Sequence, residues 1–338
     1  MPAGLGVILQ RVDVASGRQQ LYEDQLPQML AGLAEQTKVE SIRASNAIEG
    51  VEVEADRAER LAEAADRPSF RNRSEKEFAG YADALDALMN EPALDYLTVP
   101  RLLSFHRTMF AYTGARGGYL KQEDNRIAVR GPDGEKRIIF SPPSWEYTEG
   151  LTVGLCDAYR DSLERELAHP LVLLSAFIVD LLAIHPVLDG NGRMARLATT
   201  HELMRLGYGV ARYVSLEQLI YESKNAYYTA LEQSQRNWHE GTHSIWPWAE
   251  YLIRILDRSY EDFESRVAGF RSYAGLNKQE RVQRWALDEA PAEFTFSEAR
   301  RALAGISDPT IRLTLRALRD EGKLESSGSG RGAKWRRK

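Results

Sequence analysis

The spacing of apolar residues predicts helices over the first quarter of the chain. Between Leu21 and Leu88 apolar positions recur at intervals of three and four, with few Pro or Gly residues, as in amphipathic helices. Turn signals at 49–50 and 66–68 predict helix ends. Another helix should start near Thr98, whose hydroxyl can cap its first turn. We therefore predict an all-helical N-terminal region over residues 1–97.

One segment has a different pattern. Residues 126–130 alternate between polar and apolar, and residues 137–140 are again typical of an extended strand. Between them lies Gly131-Pro132-Asp133-Gly134, a strong turn sequence. The sequence predicts a β-hairpin over residues 126–140 in an otherwise helical protein.

The centre of the chain carries the most apolar helix. Residues 170–184 are apolar nearly all round, which predicts a helix buried at the centre of a domain. A second helix is predicted from Arg193 to Leu206, ended by Gly207. Amphipathic helices are expected over 216–235 and 245–263.

Composition narrows the class of protein. The chain has 338 residues and is 43% hydrophobic, enough for a sizeable core and two or three domains. Its formal net charge of -5 argues against a surface shaped entirely for nucleic acid. The single cysteine, Cys156, excludes an intrachain disulfide and fits a reducing compartment. We see no signal peptide or membrane span and expect a cytoplasmic protein that does not enter the membrane.

The loop between the two central helices combines groups that suit phosphate chemistry. Gly190-Asn191-Gly192 precedes a helix, where free backbone N–H groups and the helix dipole attract anions. Arg193 and Arg196 lie three apart and can clamp the same anion, while Asp189 can bind Mg²⁺. His185 is suited to accept a proton near neutral pH. Each residue alone also fits a structural role, but together they favour phosphoryl or nucleotidyl transfer.

The stretch from His185 to Arg196 resembles the signature of the Fic family, which reads His-Pro-Phe, any residue, Asp or Glu, Gly-Asn-Gly-Arg, two residues, Arg. The resemblance implies that His185 is the general base and Asp189 the Mg²⁺ ligand. It further implies that ATP phosphates contact the loop and the arginines, at Gly190, Asn191, Gly192, Arg193 and Arg196. Val187 departs from the family's Phe and is expected to loosen the anchoring of the loop slightly.

The resemblance covers residues 98–256. Family members carry a hairpin flap that aligns the target protein by strand addition, and residues 126–140 fit it. They also tend to have a Tyr pair near the adenine pocket, which Tyr227-Tyr228 resembles, although such pairs are more often part of a core.

A second motif lies upstream. Ser45-Asn46-Ala47-Ile48-Glu49-Gly50 resembles the family's inhibitory motif, which is Ser or Thr, three residues, Glu, then Gly or Asn. The resemblance implies that the Glu49 carboxylate pairs with Arg196 in place of the ATP γ-phosphate, with Ser45 as the other motif residue. The alternative is an ordinary helix end at Glu49-Gly50.

The last segment resembles a winged helix-turn-helix domain. Short helices are predicted over 278–287, 297–303 and 309–321, and a wing over 326–338. The third helix would be the recognition helix, with Arg312, Arg316 and Arg319; the wing adds Arg331, Lys334, Arg336, Arg337 and Lys338. DNA binding and protein docking both remain open.

Together these patterns predict a predominantly α-helical protein with the Fic fold, a helical bundle with a β-hairpin flap, plus a C-terminal winged helix-turn-helix. The predicted boundaries are 1–97, 98–258, a helical linker over 259–276, and 277–338. The expected activity is transfer of AMP from ATP, with Mg²⁺, to a Tyr, Thr or Ser hydroxyl of a protein, including the enzyme itself. Open alternatives are a phosphotransferase, a deAMPylase, and a DNA-binding regulator whose Fic core senses ATP. Homodimer formation is left open.

Overall fold

The computed structural model describes residues 1–63, 67–130, 135–272, 276–303, 305–327 and 334–337. The described chain is mostly helical, as predicted. Among these residues no helix is both long and apolar enough to cross a bilayer. The chain divides into two compact units, one formed by 1–17 and 38–260 and the other by 18–37 and 261–338. These units divide the chain differently from the predicted domain boundaries, which stay predictions.

In the described part of residues 1–97, four helices precede the predicted core: α1 (Leu5–Gln25), α2 (Pro27–Ile48), α3 (Ala55–Ala62) and α4 (Arg73–Met89). Helix α1 lies within the predicted helical region but starts before Leu21, where the helical periodicity begins. Helices α1 and α2 are separated at Leu26 because Pro27 disfavours helical geometry in the residue before it. Gly50, with φ of 77°, follows α2 and allows the turn predicted there. The turn predicted at 66–68 lies partly outside the described residues.

The middle of the chain begins with α5 (Val99–Met109), and the Thr98 side chain accepts a hydrogen bond from the Arg101 backbone N–H, as the predicted cap requires. Strands β1 (Ile127–Arg130) and β2 (Lys136–Phe140) form the predicted antiparallel hairpin, with Ala128 opposite Ile138. The predicted turn 131–134 lies outside the described residues. Helix α6 (Trp145–Glu164) follows.

Helices α7 (Pro170–Ile184) and α8 (Asn191–Arg205) are the centre of the first unit. Helix α7 has the predicted bounds, and most of its side chains are buried, as its all-round apolar pattern predicts. Helix α8 is also buried along nearly its whole length although it is polar, so its charged residues must find partners inside the protein.

The helix predicted over 216–235 is two helices. After a 3₁₀ turn (Gly209–Arg212), α9 (Leu216–Glu222) and α10 (Lys224–Gln235) are separated at Ser223. The prediction of one helix was wrong because the Ser223 hydroxyl donates to the Leu219 carbonyl and also contacts the Tyr251 hydroxyl, which competes with the regular backbone pattern. Helix α11 (Trp246–Ser272) runs beyond the predicted end at Phe263.

The C-terminal elements form their own core within the second unit. Helix α12 (Lys278–Arg284) continues into a π-helical turn (Trp285–Glu289) and is followed by β3 (Glu293–Thr295), α13 (Phe296–Ala302) and α14 (Asp308–Asp320). Strands β4 (Leu324–Ser327) and β5 (Lys334–Arg337) complete a three-stranded antiparallel sheet in the order β3-β5-β4. Phe294, Ile311 and Leu315 are among the residues that fill the core. Residues 328–333 of the predicted wing lie outside the described chain.

Candidate active site

The predicted site is formed where α7 ends and α8 begins. His185 is the C-cap residue of α7 and has left-handed backbone angles, φ 53° and ψ 61°. Gly190, with φ of 84°, precedes α8, and a side chain there would collide with the Phe110 ring. A left-handed conformation is common for glycine and rare for other residues. The surrounding structure must therefore hold His185 in place.

Asn191 holds the loop together from the inside. Its side chain is buried, its Oδ1 accepts a hydrogen bond from the Val187 N–H at 3.1 Å, and its Nδ2 donates to the Val187 carbonyl at 2.6 Å. The Asn191 side chain therefore positions the loop. Val187 is fully buried, so the smaller side chain still anchors this turn in the core.

His185 has the protonation state that a general base needs. Its Nδ1 lies 3.2 Å from the Leu182 carbonyl, which can only accept, so Nδ1 carries the proton and Nε2 has a free lone pair. Burial lowers the pKa of His185 to about 4, and the charge of Lys121 acts in the same direction. The imidazole is therefore neutral at physiological pH and can accept a proton.

Arg196 is buried and held by the end of α2. Its Nε donates to the Ser45 hydroxyl at 2.8 Å, and its Nη2 donates to the Ser45 carbonyl at 3.0 Å and to Glu49 Oε1 at 2.8 Å. The side chain of Arg196 is 4% exposed and that of Glu49 is 32% exposed. The pair expected from the upstream motif is therefore present as a charge-assisted hydrogen bond.

Glu49 is ionised in this position. Burial opposes its charge, but the positive charge of Arg196 and the hydrogen bond to it prevail, so the pKa of Glu49 lies below its usual value. A Cβ added to Gly192 would overlap Glu49 Oε1. An anionic oxygen therefore lies against the first turn of α8, in space that a side chain on residue 192 would occupy.

Arg193 is equally buried and faces a different carboxylate. Its Nη1 lies 2.8 Å from Glu77 Oε2 on α4, and its guanidinium lies over the Phe110 ring, 5.4 Å from the centroid. In the described structure, Arg193 Nε and Arg196 Nη1 are buried without a hydrogen-bond partner. Buried donors without partners are costly, so the two arginines retain capacity for a bound anion.

Asp189 differs from these residues because its side chain is 59% exposed and pairs with Arg73 at 3.3 Å. The described residues contain no cluster of three or more His, Cys, Asp or Glu side chains that could hold a metal by itself. Mg²⁺ is often bound by one or two carboxylates together with substrate phosphates and water. An exposed carboxylate beside two buried arginines fits a metal that arrives with a nucleotide.

The tyrosine pair is divided between two environments. Tyr227 is buried among aromatic rings, with Trp248 at 5.4 Å and Tyr228 at 5.1 Å between ring centroids. Tyr228 is 42% exposed and lies near Lys224. The ammonium of Lys224 donates to the Ile48 carbonyl at 2.7 Å, at the end of α2. Only Tyr228 offers an open face to a ligand.

Several residues that sequence reasoning missed also hold the site. Lys121 and Asn125 donate hydrogen bonds to the backbone around His185. His106 Nδ1 accepts from the Gly118 N–H at 2.9 Å, so its Nε2 carries the proton and donates to the Asp189 carbonyl at 3.1 Å. The four-residue spacing of Lys121 and Asn125 before the hairpin is the only signal in the sequence, and it is too common to single them out.

Comparison with known proteins finds a family model that matches the middle of the chain. The Fic/DOC family model matches residues 96–203, which include the hairpin, α7 and the loop of the candidate site. A comparison with curated proteins found no match.

Solved structures agree with the family match. A Fic family protein from Desulfovibrio desulfuricans G20 is 20% identical, with a TM-score of 0.63 over 100% of this chain and 97% of that one. A Fic domain containing signaling protein from Bacteroides thetaiotaomicron VPI-5482 is 22% identical, with a TM-score of 0.61 over 74% of this chain and 95% of that one. Fic-1 from C. elegans is 20% identical, with a TM-score of 0.57 over 77% and 72% of the two chains.

The chain is therefore a Fic-fold protein with a Fic/DOC family domain over residues 96–203. This family includes enzymes that transfer AMP to proteins and other enzymes with the same fold.

Proposed function

We propose that the protein transfers AMP from ATP to a hydroxyl side chain of a protein and that Glu49 restrains this reaction. The observation that carries the proposal is the triple contact of Arg196 with Ser45 and Glu49, since a carboxylate oxygen then occupies an anion site beside the loop. A triphosphate needs a cationic group at its far end. Arg196 is such a group, and its present partner is an internal anion.

The geometry of His185 supports the direction of proton transfer. The hydroxyl oxygen of the target would attack the α-phosphorus, and the bond to the bridging oxygen would break, with pyrophosphate as the leaving group. The hydroxyl proton would pass to His185 Nε2, which is free because Nδ1 donates to Leu182. Asp189 would hold Mg²⁺, which neutralises phosphate charge when bound.

The two buried arginines would orient the phosphates. Arg193 is fixed by Glu77 and still has an unpartnered Nε, and the backbone N–H groups at the start of α8 have no helical acceptor. Positioning and charge neutralisation supply most of the rate in phosphoryl-type transfer. Tyr228, which is open to ligand, is the better candidate of the two tyrosines for contact with the adenine.

Mass spectrometry of the intact protein after incubation with ATP and Mg²⁺ tests the proposal. We expect an AMP adduct on the Glu49→Gly variant, or on added candidate targets, and none on the Glu49→Gly/His185→Ala double variant. A phosphate adduct would identify a phosphotransferase instead. Removal of AMP from a modified protein would identify a deAMPylase, and either result would overturn the proposal.

We propose DNA binding as a second function, carried by the C-terminal segment that we interpret as a winged helix-turn-helix domain. Arg312 and Arg316 lie four residues apart on α14 and are both exposed. The wing contributes less than its composition suggests, because Lys334 pairs with Glu293 and Arg337 donates to the carbonyls of residues 287 and 290.

Gel shifts with the full chain at several salt concentrations test this function. Each lost phosphate contact should reduce the salt dependence of binding by about one unit of slope. We expect weaker DNA binding for Arg312→Ala/Arg316→Ala and no change for the exposed control Lys278→Ala. Equal behaviour of both variants, or no shift at all, would contradict DNA binding through these arginines.

A further inference from the structure

Lys121 is a buried charge that the reaction proposed above does not use. The residue is 3% exposed. Its ammonium donates to Asn125 Oδ1 at 3.1 Å, to the Pro143 carbonyl at 2.9 Å and to the Ile184 carbonyl at 3.1 Å. All three acceptors are neutral, and in the described part of the chain no carboxylate forms an ion pair with it. Burial accordingly lowers the pKa of Lys121. Asp124 is the only carboxylate among the described residues whose charge offsets part of this effect, and it forms no direct ion pair with Lys121.

Burying an ammonium group without a direct ion pair is costly, and an apolar side chain of similar length would fill the same space at less cost. The position of this charge is therefore informative. The Lys121 backbone N–H donates to the Pro186 carbonyl at 2.9 Å, so the residue binds the chain on both sides of His185. Asn125 adds a hydrogen bond to the Val187 carbonyl at 3.0 Å.

These contacts explain how His185 keeps a conformation that non-glycine residues rarely adopt. Its left-handed backbone, with φ of 53°, is held by hydrogen bonds to the carbonyls of the residues before and after it. The third donor of Lys121 reaches Pro143, three residues beyond the end of β2. One side chain thus connects the end of α7 to the segment that leaves the hairpin.

We propose that Lys121 is a positioning residue for the transfer reaction, which fixes His185 and the base of the hairpin as one unit. The inference rests on the proposed function, because it concerns the same base. The ammonium also places positive charge near the imidazole, which lowers the pKa of His185. The negative charges of Glu49 and Asp189 act in the opposite direction. Replacing Lys121 by a neutral residue should therefore shift the titration of His185.

The kinetic test compares Lys121→Met and Lys121→Arg in the Glu49→Gly background, with Lys278→Met as an exposed control. A shift of about 1 Å in a catalytic group can lower a rate by about 100-fold. We expect Lys121→Met to lower kcat by about that factor with little change in the KM for ATP, and Lys121→Arg to recover part of the loss. An unchanged kcat for folded Lys121→Met would overturn the proposal.

A second measurement does not depend on activity. Imidazole ¹H–¹⁵N spectra of the full chain, with the His185 signal identified by its loss in His185→Ala, give the pKa of His185 directly. We expect a higher pKa in Lys121→Met than in the wild type. If the pKa shifts but no variant transfers AMP, the coupling of Lys121 to His185 stands and the proposed function fails.

Should Lys121→Met not fold, Asn125→Ala gives the decisive test. It removes one acceptor of Lys121 and the hydrogen bond to Val187, while the buried charge remains. A folded Asn125→Ala with reduced kcat supports the proposal. Wild-type kcat and wild-type titration of His185 in that variant would contradict it.

Discussion

The geometry of the ion pair between Glu49 and Arg196 allows a quantitative prediction of how strongly Glu49 restrains AMP transfer. Arg196 is nearly fully buried and Glu49 is partly exposed, at 4% and 32% of their side chains, and Arg196 Nη2 and Glu49 Oε1 lie 2.8 Å apart. A hydrogen bond to a charged group contributes about 1.5–3 kcal/mol. Since about 1.4 kcal/mol corresponds to a factor of ten, loss of the carboxylate should favour the unrestrained state by about 10- to 150-fold. We expect Glu49→Gly to increase the initial rate of AMP transfer within this range.

The assay is the initial rate of adduct formation at a fixed ATP concentration below saturation. Glu52→Gly is the matched control, because it removes an exposed carboxylate three residues away that is not an ion-pair partner of Arg196 among the described residues. Glu49→Gln should give a smaller increase, since it keeps the shape but loses the charge. Equal rates for Glu49→Gly, Glu52→Gly and wild type would refute the assignment of Glu49 as a brake.

Four further predictions concern the site and the fold. In the Glu49→Gly background the acid limb of the pH–rate profile should lie at or below about pH 4, because the neutral imidazole of His185 is the base and loss of the Glu49 charge, which raises the pKa of His185, moves that pKa further down; an acid limb near pH 6.5 would contradict this. Gly192→Ala should remove activity even without Glu49, because its Cβ fills the anion position, and a fully active variant would show that phosphate binds elsewhere. Asp189→Ala should raise the Mg²⁺ concentration needed for half-maximal rate, and an unchanged titration with Mg²⁺ would exclude Asp189 as the ligand. Phe294→Ala, which empties a position 1% exposed in the C-terminal core, should lower the free energy of unfolding by about 3–5 kcal/mol in urea, whereas exposed Leu313→Ala should have little effect.

Much of the fold could be predicted because its signals are local. The bounds of α7 follow from an apolar run between Pro170 and His185, and the start of α5 follows from Thr98 as its cap. The hairpin follows from alternation on both sides of a turn sequence. The break at Ser223 could not be predicted in this way, because it depends on a hydroxyl whose second partner, Tyr251, lies 28 residues away.

The residues of the candidate site also divide into those that local sequence predicts and those that it does not. The loop residues are contiguous, so their chemistry was visible in the sequence before the structure. The residues that orient them are distant: Glu77 contacts Arg193 across more than a hundred positions, and Lys121 reaches Ile184 across 63. Asn191 is predicted as part of the phosphate-holding loop, and in the structure its side chain holds both backbone groups of Val187. Such roles depend on which acceptors the fold brings near each donor, and a single sequence does not specify this.

The central claim is that the loop of α7 and α8 transfers AMP once Glu49 no longer holds Arg196. The most direct measurement incubates Glu49→Gly with Mg²⁺ and with ATP labelled either on the α-phosphate or on the γ-phosphate. The account predicts that only the α-label becomes attached to protein and that His185→Ala in the same background abolishes the labelling. Attachment of the γ-label, or α-labelling that persists without His185, would contradict it.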